Sequence, residues 1–233
     1  MNRFLKRAWA EIDLDALEHN YNEIKKLAKG KDILAVVKAN AYGHDDKAVC
    51  LKLQELGVKY YGVSNLWEGE KLRCHGITGT ILTFGYTDED YFDELLEYGI
   101  TQTAGSVQYA KQLSDYAVSK GVKLPVHIKV NTGMTRVGID SQQEMLDILA
   151  MPGLDCKAAY THFSAADSLD PSDVEYTDRQ QEKLMKIAKD KGLLIHSQNS
   201  GGIIYHGDFG GDIVRAGVIL YGHYPNYPLE VPF

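Results

Sequence analysis

The chain has 233 residues, 44% of them hydrophobic, with 25 Lys and Arg against 32 Asp and Glu, a formal balance of 25 − 32 = −7. This acidic balance, without a long basic run, argues against nucleic-acid binding. No window approaches the roughly 18 apolar residues of a membrane span, and charged residues interrupt the N-terminal segment where a signal peptide needs an apolar core, so we expect a cytoplasmic protein.

Short apolar runs alternate with amphipathic stretches, a pattern typical of βα units around a parallel sheet. Upstream of these units, residues 7–28 predict a short strand and a helix capped by Asp13 or Asp15. Strands are then predicted at 33–38, 60–64, 80–85, 100–104, 126–130, 157–162, 194–198 and, less regularly, 212–218. Helices between them include 45–57, 66–76, 107–121 and 178–192, which end in glycine as left-handed helix caps do.

Eight strands separated by helices predict an α/β fold of the (β/α)₈ TIM-barrel type, with residues 1–233 as one domain. A doubly wound sheet is the alternative, but it often carries a GxGxxG fingerprint after its first strand, where this chain has KANAYGHD. The cysteines Cys50, Cys74 and Cys156 lack the spacing of zinc ligands, so we predict no metal site. We expect them to be buried small residues outside any disulfide.

Polar residues at the C-terminal ends of the predicted strands are the candidate site, because TIM barrels carry their chemistry there. Lys38 ends an otherwise apolar strand, where partial desolvation would make its amine nucleophilic, although position alone favours a lysine that extends to solvent. The other candidates are Tyr42 after the first strand, Lys129, Asn131 and Arg136 after the fifth, His162 after the sixth, His196, Asn199 and Ser200 after the seventh, and Arg215 to Val218 around the eighth.

Five motifs occur in order along the chain: AVVKANAYGHD (35–45), NTGMTRVG (131–138), YTHFSAAD (160–167), HSQNSGG (196–202) and VRAGVILYG (214–222). With the opening segment AWAEIDLDALEHNYN (8–22), they resemble the N-terminal barrel domain of the pyridoxal-phosphate-dependent alanine racemase family. The resemblance implies an isomerase that interconverts L- and D-alanine for peptidoglycan synthesis, with pyridoxal 5'-phosphate as cofactor, a small amino acid as substrate and a homodimer as the assembly.

The resemblance also implies a role for individual residues. Lys38 matches the lysine that carries the cofactor covalently and then serves as one of two acid/base groups. Tyr42, Ser200 and the backbone N–H groups of Gly217 and Val218 match the residues that hold the cofactor phosphate. A phosphate site after strands seven and eight is also the general expectation for this barrel.

Two arginines match residues that contact the cofactor ring in the family. Arg215 matches the one that faces the pyridine nitrogen, where a guanidinium can only donate a hydrogen bond. Arg136 matches the one that bonds the phenolic oxygen, and Lys129 the lysine, carbamylated in many members, that anchors it. The resemblance further places His162 and Asn199 around the cofactor, with His196 in the supporting hydrogen-bond network.

The sequence departs from the family pattern in three respects. The first motif closes with Gly43-His44-Asp45 in place of GHG. HSQNSGG, SAAD (164–167) and the acidic stretch 170–173 are more similar to the serine/alanine racemases of vancomycin resistance, so serine is a second candidate substrate. Family members also continue into a β-rich domain that supplies the opposite-face tyrosine, whereas this chain ends at Phe233, so we expect the barrel alone to be weakly active.

Two other interpretations compete with a racemase. The chain length resembles that of single-barrel, non-catalytic pyridoxal-phosphate carriers, but those proteins lack the KANAYGH and TGM-x-R-x-G patterns found here. A metal-dependent barrel hydrolase would need clustered His and Asp ligands at the strand ends. Here His162 and His196 belong to different strands, without carboxylate companions in either motif.

Overall fold

The computed structural model describes residues 8–226 and shows a closed barrel of parallel strands that pair in chain order, with β8 returning to β1. The predicted TIM barrel is therefore confirmed. The strands are β1 (Asp32–Val36), β2 (Tyr60–Val63), β3 (Thr80–Thr83), β4 (Thr101–Ala104), β5 (Leu124–Lys129), β6 (Leu154–Tyr160), β7 (Leu194–His196) and β8 (Ile213–Ala216).

Helices connect consecutive strands and surround the barrel. They are α1 (Leu14–Leu27), α2 (Lys38–Gly43), α3 (Asp46–Glu55), α4 (Leu66–Cys74), α5 (Phe92–Glu97), α6 (Val107–Ser119), α7 (Gln142–Leu149), α8 (Pro171–Ala188) and α9 (Ser200–Tyr205), with 3₁₀ turns at Glu89–Tyr91 and Val218–Tyr221. Among residues 8–226, no helix combines the length and apolar character needed to cross a membrane.

Helix α1 begins as the sequence predicts, with Asp13 as its cap. The Asp13 side chain accepts hydrogen bonds from the backbone N–H groups of Asp15 and Ala16, two donors that have no partner within the helix. Leu17, Tyr21 and Ile24 follow at helical spacing and are buried. The cap and the apolar stripe together explain why this segment is a helix packed against the barrel.

Apolar side chains from β1, β3 and β8 meet inside the barrel. Leu34, Val36, Leu82 and Ile213 form a buried cluster inside the ring of strands. Gly62 leaves room for this packing, since a Cβ at that position would lie 2.6 Å from the Phe84 ring. A larger residue there would force the Phe84 and Leu34 side chains to shift.

Two predictions near the start of the chain are wrong. Residues 8–13 form no strand, because the eight strands already pair around a closed ring and leave no edge for another. Lys38 does not end β1, which stops at Val36. The backbone at Val37 leaves the extended conformation (φ −119°, ψ 18°), so Lys38 begins α2 instead.

Further differences concern the predicted helix at 178–192 and the cysteines. Helix α8 begins seven residues earlier, at Pro171, because proline fits the first turn of a helix, where its missing N–H is not needed. It ends at Ala188, before Asp190 and Gly192 adopt positive φ. All three cysteines are free, but only Cys50 is buried, while Cys74 is exposed and Cys156 partly buried.

Candidate functional site

A cavity of about 410 Å³ opens where the strands end, at the C-terminal face of the barrel. Every residue that the sequence analysis assigned to the cofactor lines it, as does Lys129. These residues are Lys38, Tyr42, Arg136, His162, Asn199, Ser200, Arg215, Gly217 and Val218. His196 lies below the cavity floor and reaches it through Arg215.

Helix α2 is a left-handed turn that connects two of the cavity residues. Its residues Ala39 to Tyr42 have φ between 52° and 56°. For residues other than glycine, this conformation costs about 1–2 kcal/mol each, so the surrounding structure must hold the turn in place. Lys38 at its start and Tyr42 near its end both face the cavity. Burial raises the pKa of the Tyr42 hydroxyl, which therefore stays protonated and able to donate.

Two hydroxyl groups lie close to the backbone at Gly217, that of Ser200 at the start of α9 and that of Tyr42 on α2. The Gly217 N–H donates to the Ser200 Oγ at 3.1 Å. A Cβ at Gly217 would lie 3.2 Å from the Tyr42 hydroxyl and 3.6 Å from the Ser200 hydroxyl. Because glycine has no side chain, a cradle between these two hydroxyls remains open to a small polar group.

Arg215 points from β8 into the cavity floor and is almost completely buried. Its guanidinium donates to the backbone carbonyls of Thr161 at 2.7 Å, His196 at 2.9 Å and Ser197 at 2.9 Å. Within residues 8–226 no carboxylate forms an ion pair with it. Burial lowers its pKa to about 10, so it remains charged at neutral pH. The carbonyl groups thus hold a buried positive charge that only donates hydrogen bonds.

Arg215 determines which ring nitrogen carries the proton in the histidines that it contacts. Arg215 contacts the Nδ1 atoms of His196 at 3.2 Å and His162 at 3.3 Å, and because arginine cannot accept, both atoms must be unprotonated. The His196 Nε2 then carries the proton and donates a hydrogen bond to the Nδ1 of His127, at 3.0 Å. Burial lowers the pKa of His127 to about 4 and that of His162 to about 3, which keeps both rings neutral.

Lys129 at the end of β5 is a buried amine in an electropositive setting. Its Nζ donates to the Val130 carbonyl at 2.9 Å and lies over the Tyr160 ring. Burial, together with the charges of Arg215 and Arg136, lowers its pKa to about 7. A substantial fraction of this amine is therefore neutral at physiological pH.

The loop between β5 and α7 carries Arg136 to the cavity. The Asn131 side chain accepts from the N–H groups of Gly133 at 3.2 Å and Thr135 at 3.0 Å, which folds the loop back on itself. Gly138 has φ 137°, and a Cβ there would lie 2.4 Å from the Asn131 nitrogen. Gly138, the last residue of the NTGMTRVG motif, is therefore required by close backbone approach.

Sequence reasoning missed several residues that shape this site. Tyr160 lines the cavity, stacks on His196 and forms a hydrogen bond of 2.9 Å with Thr103. His127 lies on the same strand as Lys129 and two positions before it, so the alternation of a strand would have placed both side chains on one face.

Comparison with known families matches residues 12–225 to the alanine racemase N-terminal domain. An alanine racemase of Clostridium perfringens (strain SM101 / Type A) is 39% identical over 236 residues, which cover 97% of this chain and 60% of that protein. The chain thus spans about 60% of the length of these curated relatives.

Solved structures show the same similarity. The alanine racemase of Clostridium difficile 630 has a TM-score of 0.88 and 35% identity, covering 96% of this chain and 60% of that one. A histidine racemase from Leuconostoc mesenteroides has a TM-score of 0.86 and 27% identity, covering 95% of this chain and 61% of that one. Proteins with this barrel are thus named for different amino acids.

Proposed function

The chain belongs to the alanine racemase family, whose N-terminal domain it matches, and on that premise we propose that it is the cofactor-binding barrel of a pyridoxal-phosphate-dependent amino-acid racemase. The observation that carries the proposal is the cavity, because one space is lined by all nine residues that the resemblance assigns to the cofactor. Alanine is the first candidate substrate and serine the second.

The cavity residues fit pyridoxal phosphate, an anionic pyridine. Among residues 8–226, the lining offers the basic side chains of Lys38, Lys129, Arg136 and Arg215 against one carboxylate, that of Asp167. The opening between the Tyr42 and Ser200 hydroxyls, next to Gly217, suits a phosphate oxygen. The volume also lies within the range of about 300–1,000 Å³ typical of small-molecule sites.

Each wall then has a separate task. Tyr42, Ser200 and the backbone of Gly217 and Val218 would hold the phosphate. Arg215 would donate to the ring nitrogen, and since its guanidinium gives up no proton at working pH, it would keep that nitrogen unprotonated. When bound, pyridoxal phosphate supplies an electron sink that acidifies the α-hydrogen of the attached amino acid.

Two basic residues remain for the phenolic side of the cofactor and one for proton transfer. Arg136 would bond the phenolic oxygen, and Lys129 would anchor it. The neutral fraction of the Lys129 amine is the form that carbamylation requires, which supports the modification that the resemblance implies. Lys38 would add and remove the α-proton on one face of the substrate.

Racemisation also requires a proton donor on the opposite face. The resemblance assigns that group, and the contacts to the substrate carboxylate, to a part of the relatives that these 233 residues do not span. Loss of one positioned acid/base group typically lowers a rate by about 10²–10⁴-fold. We therefore expect the 233-residue chain to bind the cofactor and to racemise alanine at least about a hundredfold more slowly than a longer relative.

Borohydride reduction of the cofactor-loaded chain followed by peptide mapping tests the attachment. The label should appear on Lys38, disappear in Lys38→Arg and remain in Lys47→Arg, where the altered lysine is exposed on α3. Label on another lysine would contradict the assignment.

Solvent exchange distinguishes a racemase barrel from a non-catalytic carrier. In deuterated water, the loaded chain should exchange the α-hydrogen of one alanine enantiomer much faster than that of the other, because Lys38 reaches one face only. A carrier would exchange neither. The same exchange rates measured with L-Ser and D-Ser, compared with those of the two alanine enantiomers, decide between the candidate substrates.

A further inference from the structure

We propose that Glu68 is a positioning residue whose carboxylate clamps the left-handed turn α2, so that Lys38 and Tyr42 face the cavity together. The importance of those two side chains rests on the proposed function, whereas the clamp itself is a property of the fold. Nothing in the sequence motifs points to Glu68, which lies on α4, 29 residues after the backbone group that it binds.

The two oxygens of the Glu68 carboxylate accept from two different loops. Oε1 accepts from the Ala39 N–H at 2.8 Å, and Oε2 accepts from the Ser64 N–H at 2.7 Å. Asn65, the cap of α4, holds Glu68 in turn by accepting its backbone N–H at 3.1 Å. The carboxylate thereby ties the first left-handed residue of α2 to the end of β2.

A second side chain of α4 contacts the next residue of the same turn, Asn40. Lys71 lies three residues after Glu68, on the same helix face, and its Nζ pairs with the Asp46 carboxylate at 2.8 Å. Asn40 accepts from the Asp46 N–H at 3.2 Å and from Lys71 at 3.4 Å. One face of α4 therefore contacts both the turn and the start of α3.

The turn needs such support because its conformation is unfavourable and burial does not hold its first residue. Ala39 is exposed, so packing contributes little to its positive φ. Two acceptor oxygens suit two N–H donors, whereas the amide of a glutamine has one acceptor and one donor group. Glu68→Gln keeps the size of the side chain and leaves one of the two backbone N–H groups without an acceptor.

Amide hydrogen exchange on the cofactor-free chain tests the clamp directly. In Glu68→Gln, exchange at Ala39 or Ser64 or both should accelerate by roughly ten- to a hundredfold, the effect of losing a charge-assisted hydrogen bond. Glu70→Gln is the matched control, because Glu70 lies on the same helix but contacts the Tyr98 hydroxyl. Unchanged exchange at both amides, or equal acceleration in the control, would overturn the clamp.

Cofactor titration, read from the visible absorbance of the lysine-bound cofactor, tests the positioning. Glu68→Gln should bind pyridoxal phosphate about tenfold or more weakly, and adding Ala39→Gly should restore part of that loss, because glycine adopts positive φ without strain. Accelerated exchange with wild-type affinity, or no rescue by glycine, would show that the clamp does not position Lys38. If Glu68→Gln does not fold, Ala39→Gly in the unaltered chain still decides the matter: a lower thermal midpoint would overturn the strained turn that the clamp is proposed to hold.

The two proposals fail separately. An unaltered chain that binds no pyridoxal phosphate would overturn the proposed function, while the exchange comparison would still decide whether Glu68 clamps the turn. Normal cofactor binding with unchanged exchange in Glu68→Gln would overturn the clamp and leave the proposed function standing.

Discussion

The two sides of the cavity are held by different physical means. On the β1 side, Lys38 and Tyr42 lie on a strained, partly exposed turn that side chains of α4 hold through hydrogen bonds. On the β8 side, Arg215 is buried in regular structure and bonded mainly to backbone carbonyls. The side that carries the reactive amine is held locally, whereas the side that carries the fixed charge is part of the core.

This difference implies different consequences of substitution. Backbone carbonyls and burial cannot be changed without affecting the barrel, so changes on the β8 side should act on global stability. A turn held by a few side-chain contacts can shift while the barrel stays folded, so changes on the β1 side should act on cofactor binding. The following predictions test that division, starting with the largest effect.

Removal of the buried guanidinium should have the largest effect on stability. Arg215→Met leaves three backbone carbonyls without their donor, and we expect the free energy of unfolding to fall by about 3–5 kcal/mol. Urea denaturation measures the change. Arg179→Met on α8, which removes an exposed ion pair with Glu175, should change stability by less than about 1 kcal/mol. Similar losses in the two variants would contradict the division.

Acid should weaken the barrel through the buried histidines that are linked to Arg215, His196 directly and His127 of β5 through His196. His127 has a pKa of about 4 in the fold, below its ordinary value of 6.5, so the unfolded chain binds more protons between these pH values. The stability contributed by the neutral ring is therefore complete above pH 6.5 and declines toward pH 4, by up to about 1.4 kcal/mol per pH unit for each such histidine. Urea unfolding between pH 7.5 and 4.5 should show a shallower decline in a folded His127→Gln variant, and an equal decline would exclude His127 as a source.

Tyr42→Phe should affect binding and leave the barrel stable. It would remove the hydrogen bond that we propose Tyr42 makes to the cofactor phosphate, worth about 1–3 kcal/mol, so affinity should fall roughly ten- to a hundredfold. Tyr86→Phe is the control, since Tyr86 is exposed and lies outside the cavity lining. Fluorescence titration with pyridoxal phosphate compares the two variants. Equal affinities would remove Tyr42 from the phosphate site.

Glycine should have opposite effects at two exposed alanines. Ala39→Gly relieves the cost of positive φ and should stabilise the chain by about 0.5–1 kcal/mol, since the relief of strain exceeds the entropy cost of glycine. Ala16→Gly in the right-handed helix α1 should destabilise it by about 0.5–1 kcal/mol. Thermal unfolding of both variants checks the signs, and a loss at position 39 would show that the turn is not strained.

Much of this protein is determined locally and could be predicted from its sequence. Apolar runs and glycine-ended amphipathic stretches determined the eight βα units, because strand and helix periodicity are properties of neighbouring residues. The Asp13 cap is equally local. The candidate site followed from the motifs, since residues at the C-terminal ends of parallel strands necessarily meet at one face.

Tertiary structure decided the handedness of α2 and the protonation of the interior. The left-handed turn depends on an acceptor 29 residues away, which no local pattern in KANAYG reports. Burial keeps His127 neutral, and burial together with the charge of Arg215 lowers the pKa of Lys129. Both effects arise only when β5 to β8 close the barrel. Local periodicity determines where elements form, whereas the environment of a buried group is the sum of contacts from distant segments.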